Sequence, residues 1–504
     1  MHEIHKPVGT APPVVPGGPL RRAFSHLVRS CGRALTGMLG LLLVACGAHE
    51  RPLPPPQQSG ELVVVSRQSP TTVYRDAEGA LAGPDVDLVD ALAAELGVKV
   101  RWVWVDRDRQ LYERLDRGQA HMAAAALSPA EPALVLARFG SPFFWRNQVV
   151  AMRSRDDRLP YRIGQLAGLR GWVAADTPAA RALDAVPRAP GGNVQQGDPA
   201  GAADALQRVN DGQLDYAVVD SLLLSRMRHW LIDLEQAFEL PGPRPVAWAF
   251  PRYGNEKLFA AAEDFLRRSR VNGSLAAIHE RYFGHLRRLD TLDIGQMLEH
   301  RVSRLPRYRD LFREAGEITG IDWRWLAALA YQESKWDPLA TSWTNVRGIM
   351  MLTESTAQQL GVTNRLDARQ SILAGALYLA QIMDGLPPQV KGDDRMMLAL
   401  AAYNLGEGHL RAGLRMAASM KADPDTWVGV KRALPELARP DIAARLVSGP
   451  ARGGEAVILV ENVRGYYEVL VAAEHDGPAR SARPGLFRGD FFRPPPRPAD
   501  PIIW

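Results

Sequence analysis

YQESKWDPLATSWTNVRGIMMLTESTAQQL, residues 331–360, is the stretch around which the chain is organised. It opens at the end of a predicted amphipathic helix, Asp322 to Ser334, with Asp322 placed to cap it. Leu326, Leu329, Ala330 and Glu333 fall at i, i+3, i+4 and i+7, so a carboxylate shares the apolar face. Burying an ionised glutamate without a partner costs several kcal/mol, so an unpartnered Glu333 is expected to sit protonated with a raised pKa. Such a group is a general acid near neutral pH. The alternative is a glutamate capped by an arginine or by backbone amides. Pro338 cannot continue the helix, and Ser342, Thr344, Asn345 and Gly348 then predict a polar, flexible crossing.

Glu333, Ser334, Trp336, Pro338 and Ser342, followed by Gly348, Met350, Thr356 and Ala357, stand in register with E-S-x-W-x-P-x-x-x-S, G-L-M-Q and a T-A helix. In this the chain resembles the lytic transglycosylases with a goose-type lysozyme fold. Ala402-Tyr403-Asn404-Leu405-Gly406 is similar to that family's A-Y-N-x-G motif, and Glu455-Ala456 with Val460-Glu461-Asn462-Val463-Arg464 to its last one. The resemblance implies cleavage of peptidoglycan glycan strands with Glu333 catalytic and Ser342, Met350, Tyr403, Asn404 and Glu455 lining the substrate. Met351 replaces the usual glutamine, Asn345 the turn glycine, and Leu459 an expected tyrosine. Met397, Leu400, Ala401 and Asn404 form a stripe that reads as core, and Tyr403 lies just off it; a buried tyrosine bonding a backbone carbonyl is the alternative to a cleft role.

The N-terminal half alternates strand and helix: a strand at 62–66, a helix at 86–96 closed by Gly97, a strand at 98–102. Gly83-Pro84-Asp85-Val86-Asp87, Ser141-Pro142-Phe143-Phe144, Asp211 to Asp220 and Arg281-Tyr282-Phe283-Gly284 resemble, in order, motifs of the periplasmic solute-binding proteins for polar amino acids. The arginine with which that family clamps a ligand carboxylate falls on Ala133, which disfavours a free amino acid. Asp220 stands where an acid faces the ligand amine, or else caps the helix that begins at Ser221. A peptide-like cell-wall fragment, a muropeptide or stem peptide, is the ligand this reading favours.

The expected architecture is therefore multidomain, α/β followed by all-α. Two α/β lobes of type II periplasmic-binding-protein fold occupy 61–286, a helical linker 287–313, and a lysozyme-like helical domain 314–475. Residues 1–46 read as a lipoprotein signal, because the apolar run 34–45 is shorter than the about 20 residues that span a bilayer and ends at Leu43-Val44-Ala45-Cys46. Lipidation of Cys46, followed by Gly47, implies the periplasmic face of the outer membrane; a plain secretory signal is the alternative. Residues 47–60 read as a Pro-rich tether, and 476–504, with seven prolines and five arginines, as a disordered tail. The chain has 2 cysteines and 11 scattered histidines, so neither a disulfide in the mature chain nor a metal site is expected, and no cofactor. A net charge of +5 without a basic, aromatic-laced stripe gives nucleic acid no support as a partner. The rival functions are a non-catalytic cell-wall sensor and a hydrolytic muramidase.

Overall fold

The computed structural model describes residues 52–475 apart from 77–78, 130, 155–158, 187–189, 287–288, 290, 447–448 and 450. The readings of Cys46 and of the tail 476–504 lie outside the described residues. The first lobe is built on Glu61–Ser66, a run of valines buried on both faces, which pairs in parallel with Lys99–Trp104 and with Met122–Ala123. Ala249–Pro251 and Ala137–Phe139 complete a five-stranded sheet. The helix Pro84–Leu96 covers one face with Leu88 and Leu92 and ends at Gly97 in the left-handed conformation. Its start demands a glycine: Gly83 has φ 130° and a Cβ there would lie 2.0 Å from the Thr72 carbonyl oxygen.

The chain crosses into the second lobe at Gly140–Phe143 and returns at Ala247–Trp248. Hydrogen bonds from Gly140 N–H to the Trp248 carbonyl and from Phe143 N–H to the Val246 carbonyl, both 2.9 Å, tie the crossings together. Between them Leu234–Val246, Phe144–Arg153, Tyr216–Asp220, Arg170–Ala174 and Asn193–Gly197 form the second five-stranded sheet in that spatial order. Two lobes, two mixed sheets and a double crossing are the expected binding-protein architecture.

The rest is helical. Trp323–Ser334 is its central element, and every side chain from Trp325 to Tyr331 is buried. The predicted apolar face is therefore an apolar cylinder, the mark of a helix enclosed by its neighbours. Around it pack Arg309–Thr319, Ala368–Gly385 and the long Gly453–His475. Asp322 caps the central helix as expected, accepting from Arg324 N–H at 2.9 Å. In Ala368–Gly385, Ile372, Ala376 and Leu379 are buried, and Asp367 accepts from Gln370 N–H. The Gln370 side chain turns to the Thr363 and Asn364 amides, so only half of a capping box forms.

Two boundaries require correction. The segment read as a linker is helical, Thr291–Ser303 and the start of Arg309–Thr319, but it is no spacer: Ile294, Met297, Leu305 and Phe312 are buried in the helical domain's core. That domain therefore begins near residue 289. The Pro-rich tether is ordered over its last part: Pro56–Ser59 forms a helical turn, Leu53 N–H donates to the Gly118 carbonyl at 3.0 Å, and a His121 ring nitrogen lies 2.9 Å from the Pro54 carbonyl oxygen. Proline leaves its carbonyl free as an acceptor, and here that acceptor docks the segment on the first lobe.

Candidate active site and ligand cleft

Glu333 is the penultimate residue of the central helix and is half-buried. Its carboxylate has no hydrogen bond or ion pair among the described residues, so the capping arginine or amides of the alternative reading are absent there. Burial alone pushes its pKa up to about 7. A second glutamate of the same domain shows what partners do. Glu461 is more deeply buried, and burial pushes its pKa up, but Lys431 at 3.0 Å, Arg464 and the Trp427 indole N–H at 2.7 Å outweigh this and hold it low.

The chain leaves Glu333 by a sharp reversal. Lys335 and Trp336 both take positive φ, 55° and 56°, and the buried Trp336 indole N–H donates to the Ala327 carbonyl at 2.8 Å. The Ser334 hydroxyl lies 2.8 Å from the Ile349 carbonyl oxygen, so the returning strand of the loop is pinned beside Glu333. The Tyr403 hydroxyl donates to the Met350 carbonyl at 2.8 Å, and its pKa is driven well above the usual value by burial and then by the charge of Glu333. Tyr403 thus combines both readings: it bonds a backbone carbonyl and stands near Glu333.

Three expectations are corrected. The Met350 side chain is wholly buried against Gly375 and presents nothing to a substrate; its backbone is what matters, held by Tyr403 and by the Ser371 hydroxyl 3.2 Å from its amide. Asn404 is exposed rather than core, because its helix ends there, while Met397, Leu400 and Ala401 are buried as expected. The loop from Ala340 to Leu352 is not a flexible crossing: Ser342 N–H donates to the Val346 carbonyl, Val346 N–H to the Ser342 hydroxyl, Gly348 N–H to the Ala340 carbonyl, and Arg365 holds the Asn345 carbonyl at 2.7 Å. Asn345 has φ 62°, in the left-handed region its side chain tolerates. Glu455 is exposed, 3.5 Å from Arg452, and shares no hydrogen bond with Tyr403 or the loop. Leu459 is buried in the core. Asp337 is an exposed loop residue accepting from Leu339 N–H, and no other acid perturbs Glu333.

Between the lobes lies a cavity of about 830 Å³. Asp220 caps the following helix as the alternative reading has it, accepting from Leu222 N–H at 2.8 Å, and it also lines this cavity. Arg146, unremarked in the sequence, is one of five arginines that line the cleft, with Arg67, Arg107, Arg109 and Arg244. It lies 3.4 Å from Asp220 and donates to the Thr71 carbonyl at 2.9 Å across the lobes. Its Nε and the Thr72 hydroxyl are buried without partners. Asp85 sits near it, bonded to Ala126 N–H, its pKa raised to about 6 by burial against the pull of Arg146. The signal for Arg146 was present: Arg146 and Gln148 alternate on one side of a strand that continues as the buried apolar run Val149 to Met152. Among the described residues no cluster of His, Cys, Asp or Glu has the makings of a metal site, and no helix is long and apolar enough to cross a membrane.

A two-lobed binding module joined to a helical domain with an unpartnered, proton-holding glutamate defines a lytic transglycosylase with a solute-binding domain ahead of it. Comparison with known proteins agrees. Residues 310–425 match the Transglycosylase SLT domain and residues 62–285 the Bacterial extracellular solute-binding proteins, family 3. A protein of Nitrosospira multiformis called membrane-bound lytic murein transglycosylase F is 41% identical over 451 residues, covering 89% of this chain and 94% of its own. Its namesake from Thiobacillus denitrificans is 38% identical over 459 residues, covering 90% and 96%. The chain belongs to the membrane-bound lytic murein transglycosylase F family.

Proposed function

We propose that Glu333 is both acid and base in a non-hydrolytic cleavage of the β-1,4 bond between N-acetylmuramic acid and N-acetylglucosamine. Its proton passes to the glycosidic oxygen as the C1–O bond breaks. No second carboxylate stands against Glu333 to serve as nucleophile or as base for water, as ordinary glycosidases require. The substrate's own acetamido oxygen therefore takes C1. The C6 hydroxyl of the same muramyl ring then attacks C1, its proton returns to Glu333, and a 1,6-anhydro ring closes with no water consumed. Ser342 and the exposed Asn404 are the residues offered to the sugar, and Tyr403 positions the Met350 carbonyl and crowds Glu333. The cleft around Arg146 and Asp220 is proposed to take a stem peptide or muropeptide, and Cys46 to carry the lipid that keeps the protein at the periplasmic face of the outer membrane.

The observation that carries this reading is a carboxyl group with no partner, held near pKa 7 by burial alone. The test is digestion of purified murein followed by mass analysis. Products one water lighter than reducing ends are expected, and Glu333→Gln should abolish them while leaving the fold intact. Unshifted reducing ends would make the protein a muramidase, and no release at all a binding protein. Activity in the variant above about a hundredth of the parent's would exclude Glu333 as the sole acid.

A further inference from the structure

Trp343 is 88% exposed, more than any other large apolar side chain among the described residues. It makes no ring stacking, cation–π contact or side-chain hydrogen bond there. The hairpin that carries it is bonded on both sides. Trp343 sits at its tip, and the two sides are joined by the Ser342–Val346 bond at 2.9 Å, the Asn345–Ser342 bond at 3.1 Å and the bridge between Thr341 and Arg347. The Ser342 hydroxyl, 2.9 Å from that of Thr344, closes the turn from within, and Arg365 clamps it from outside through the Asn345 carbonyl. These bonds fix the base and sides of the turn from which the exposed indole projects.

That place is tied to the reacting group. Gly348, at the hairpin base, adjoins Ile349, whose carbonyl is bonded by Ser334, the residue after Glu333. From Gly348 to Trp343 there are five residues, at most about 17 Å of extended chain. Trp343 thus stands no more than one hairpin's length from the segment bonded beside Glu333. On the reading of Glu333 given above, we infer that Trp343 is a stacking platform for an outer pyranose ring of the glycan strand, one or more sugars from the scissile bond. The chemistry fits: a pyranose presents an apolar C–H face that an indole covers. A rigid aromatic contributes contact area with little side-chain entropy to lose.

The test separates binding from cleavage by placing Trp343→Ala and Trp343→Phe in the full-length Glu333→Gln protein. Affinity for purified, uncleaved glycan strands is measured by calorimetry. Loss on the order of tenfold is expected for alanine, the weight of one aromatic contact, with most of it restored by phenylalanine. In the otherwise unaltered protein, Trp343→Ala should raise KM for long strands and leave kcat nearly unchanged. Equal affinity of the alanine variant and its parent would overturn the assignment while leaving the role of Glu333 standing. Absence of glycan binding by every variant would overturn both.

Discussion

Two glutamates of the helical domain, Glu333 and Glu461, are withdrawn from water and end with opposite proton affinities, because only one has partners. This has a consequence for stability with a definite sign. The folded-state pKa of Glu333 is about 7 against an ordinary 4.5, so the folded protein binds a proton more tightly than the unfolded chain does. Stability contributed by this group is complete below about pH 4.5 and declines as pH rises towards 7, by roughly 3 kcal/mol in all. Glu333→Gln removes that penalty. The variant should match its parent in melting temperature near pH 4.5 and exceed it increasingly up to pH 8; a constant difference across that range would mean that Glu333 has a partner in solution. The rate of the parent should fall above pH 7 as the acid loses its proton. The apolar-face pattern drew attention to this residue, and the motif from Glu333 to Ser342, which resembles that of the lytic transglycosylases, singled it out. Met350 misled for the same reason: a motif position marks a requirement, and here the requirement is a side chain packed on Gly375 and a carbonyl bonded to Tyr403.

At the scale of the element, the loop after Glu333 owes its shape to backbone geometry that few residues tolerate. Gly348 has φ 87°, and a Cβ there would fall 1.9 Å from the Arg365 carbonyl oxygen. Gly361 has φ 71° but open space around it. Alanine at 361 should cost only the left-handed conformation, about 1–2 kcal/mol. Alanine at 348 adds a backbone clash and should cost roughly 2–5 kcal/mol, with most activity lost because Ile349 and Met350 shift with it. Denaturant midpoints and murein digestion of the two variants check this; equal losses would mean that the loop relaxes around the new methyl group. The apolar strand Glu61–Ser66 and the striped helix Pro84–Leu96 were readable from the sequence. The helix Thr291–Ser303 was readable as a helix but not as core. An amphipathic pattern reveals that one face is covered and says nothing of what covers it.

In the whole molecule, the closing helix Gly453–His475 touches the central helix and both lobes. On one side Asn462 donates to Gln332 at 3.3 Å, and Tyr467 stacks on Trp325 with ring centroids 3.8 Å apart. On the other, Glu468 receives His285 from the end of the first lobe's chain at 2.8 Å, and His229 and Arg226 from the second lobe at 3.3 and 3.8 Å. Burial opposes its ionisation, and His285, Arg226 and the imidazole hydrogen bonds overcome this and hold its pKa well below the usual carboxylate range. No periodicity announces such a cluster, since its members stand far apart in the chain and meet only when both modules are folded. One carboxylate thus reads the position of both lobes, one residue from a ring stacked on the central helix and six from the amide bonded to Gln332. A ligand in the cleft can alter cleavage only if it favours one arrangement of the lobes over another. The coupling it exerts is bounded by what the seam transmits, typically 1–3 kcal/mol, or about 5- to 150-fold in rate or affinity. Glu468→Gln keeps the shape and removes the charge that holds Arg226 and both imidazoles. It should leave the unstimulated rate on murein and the affinity for a stem tetrapeptide within a few-fold of the parent, while abolishing any change in rate that the peptide produces. Calorimetry with the peptide and digestion with and without it measure the three quantities separately. Full retention of the peptide's effect in this variant would place the coupling elsewhere, in the Arg281 pairs with Asp87 and Asp394 that cross the same seam.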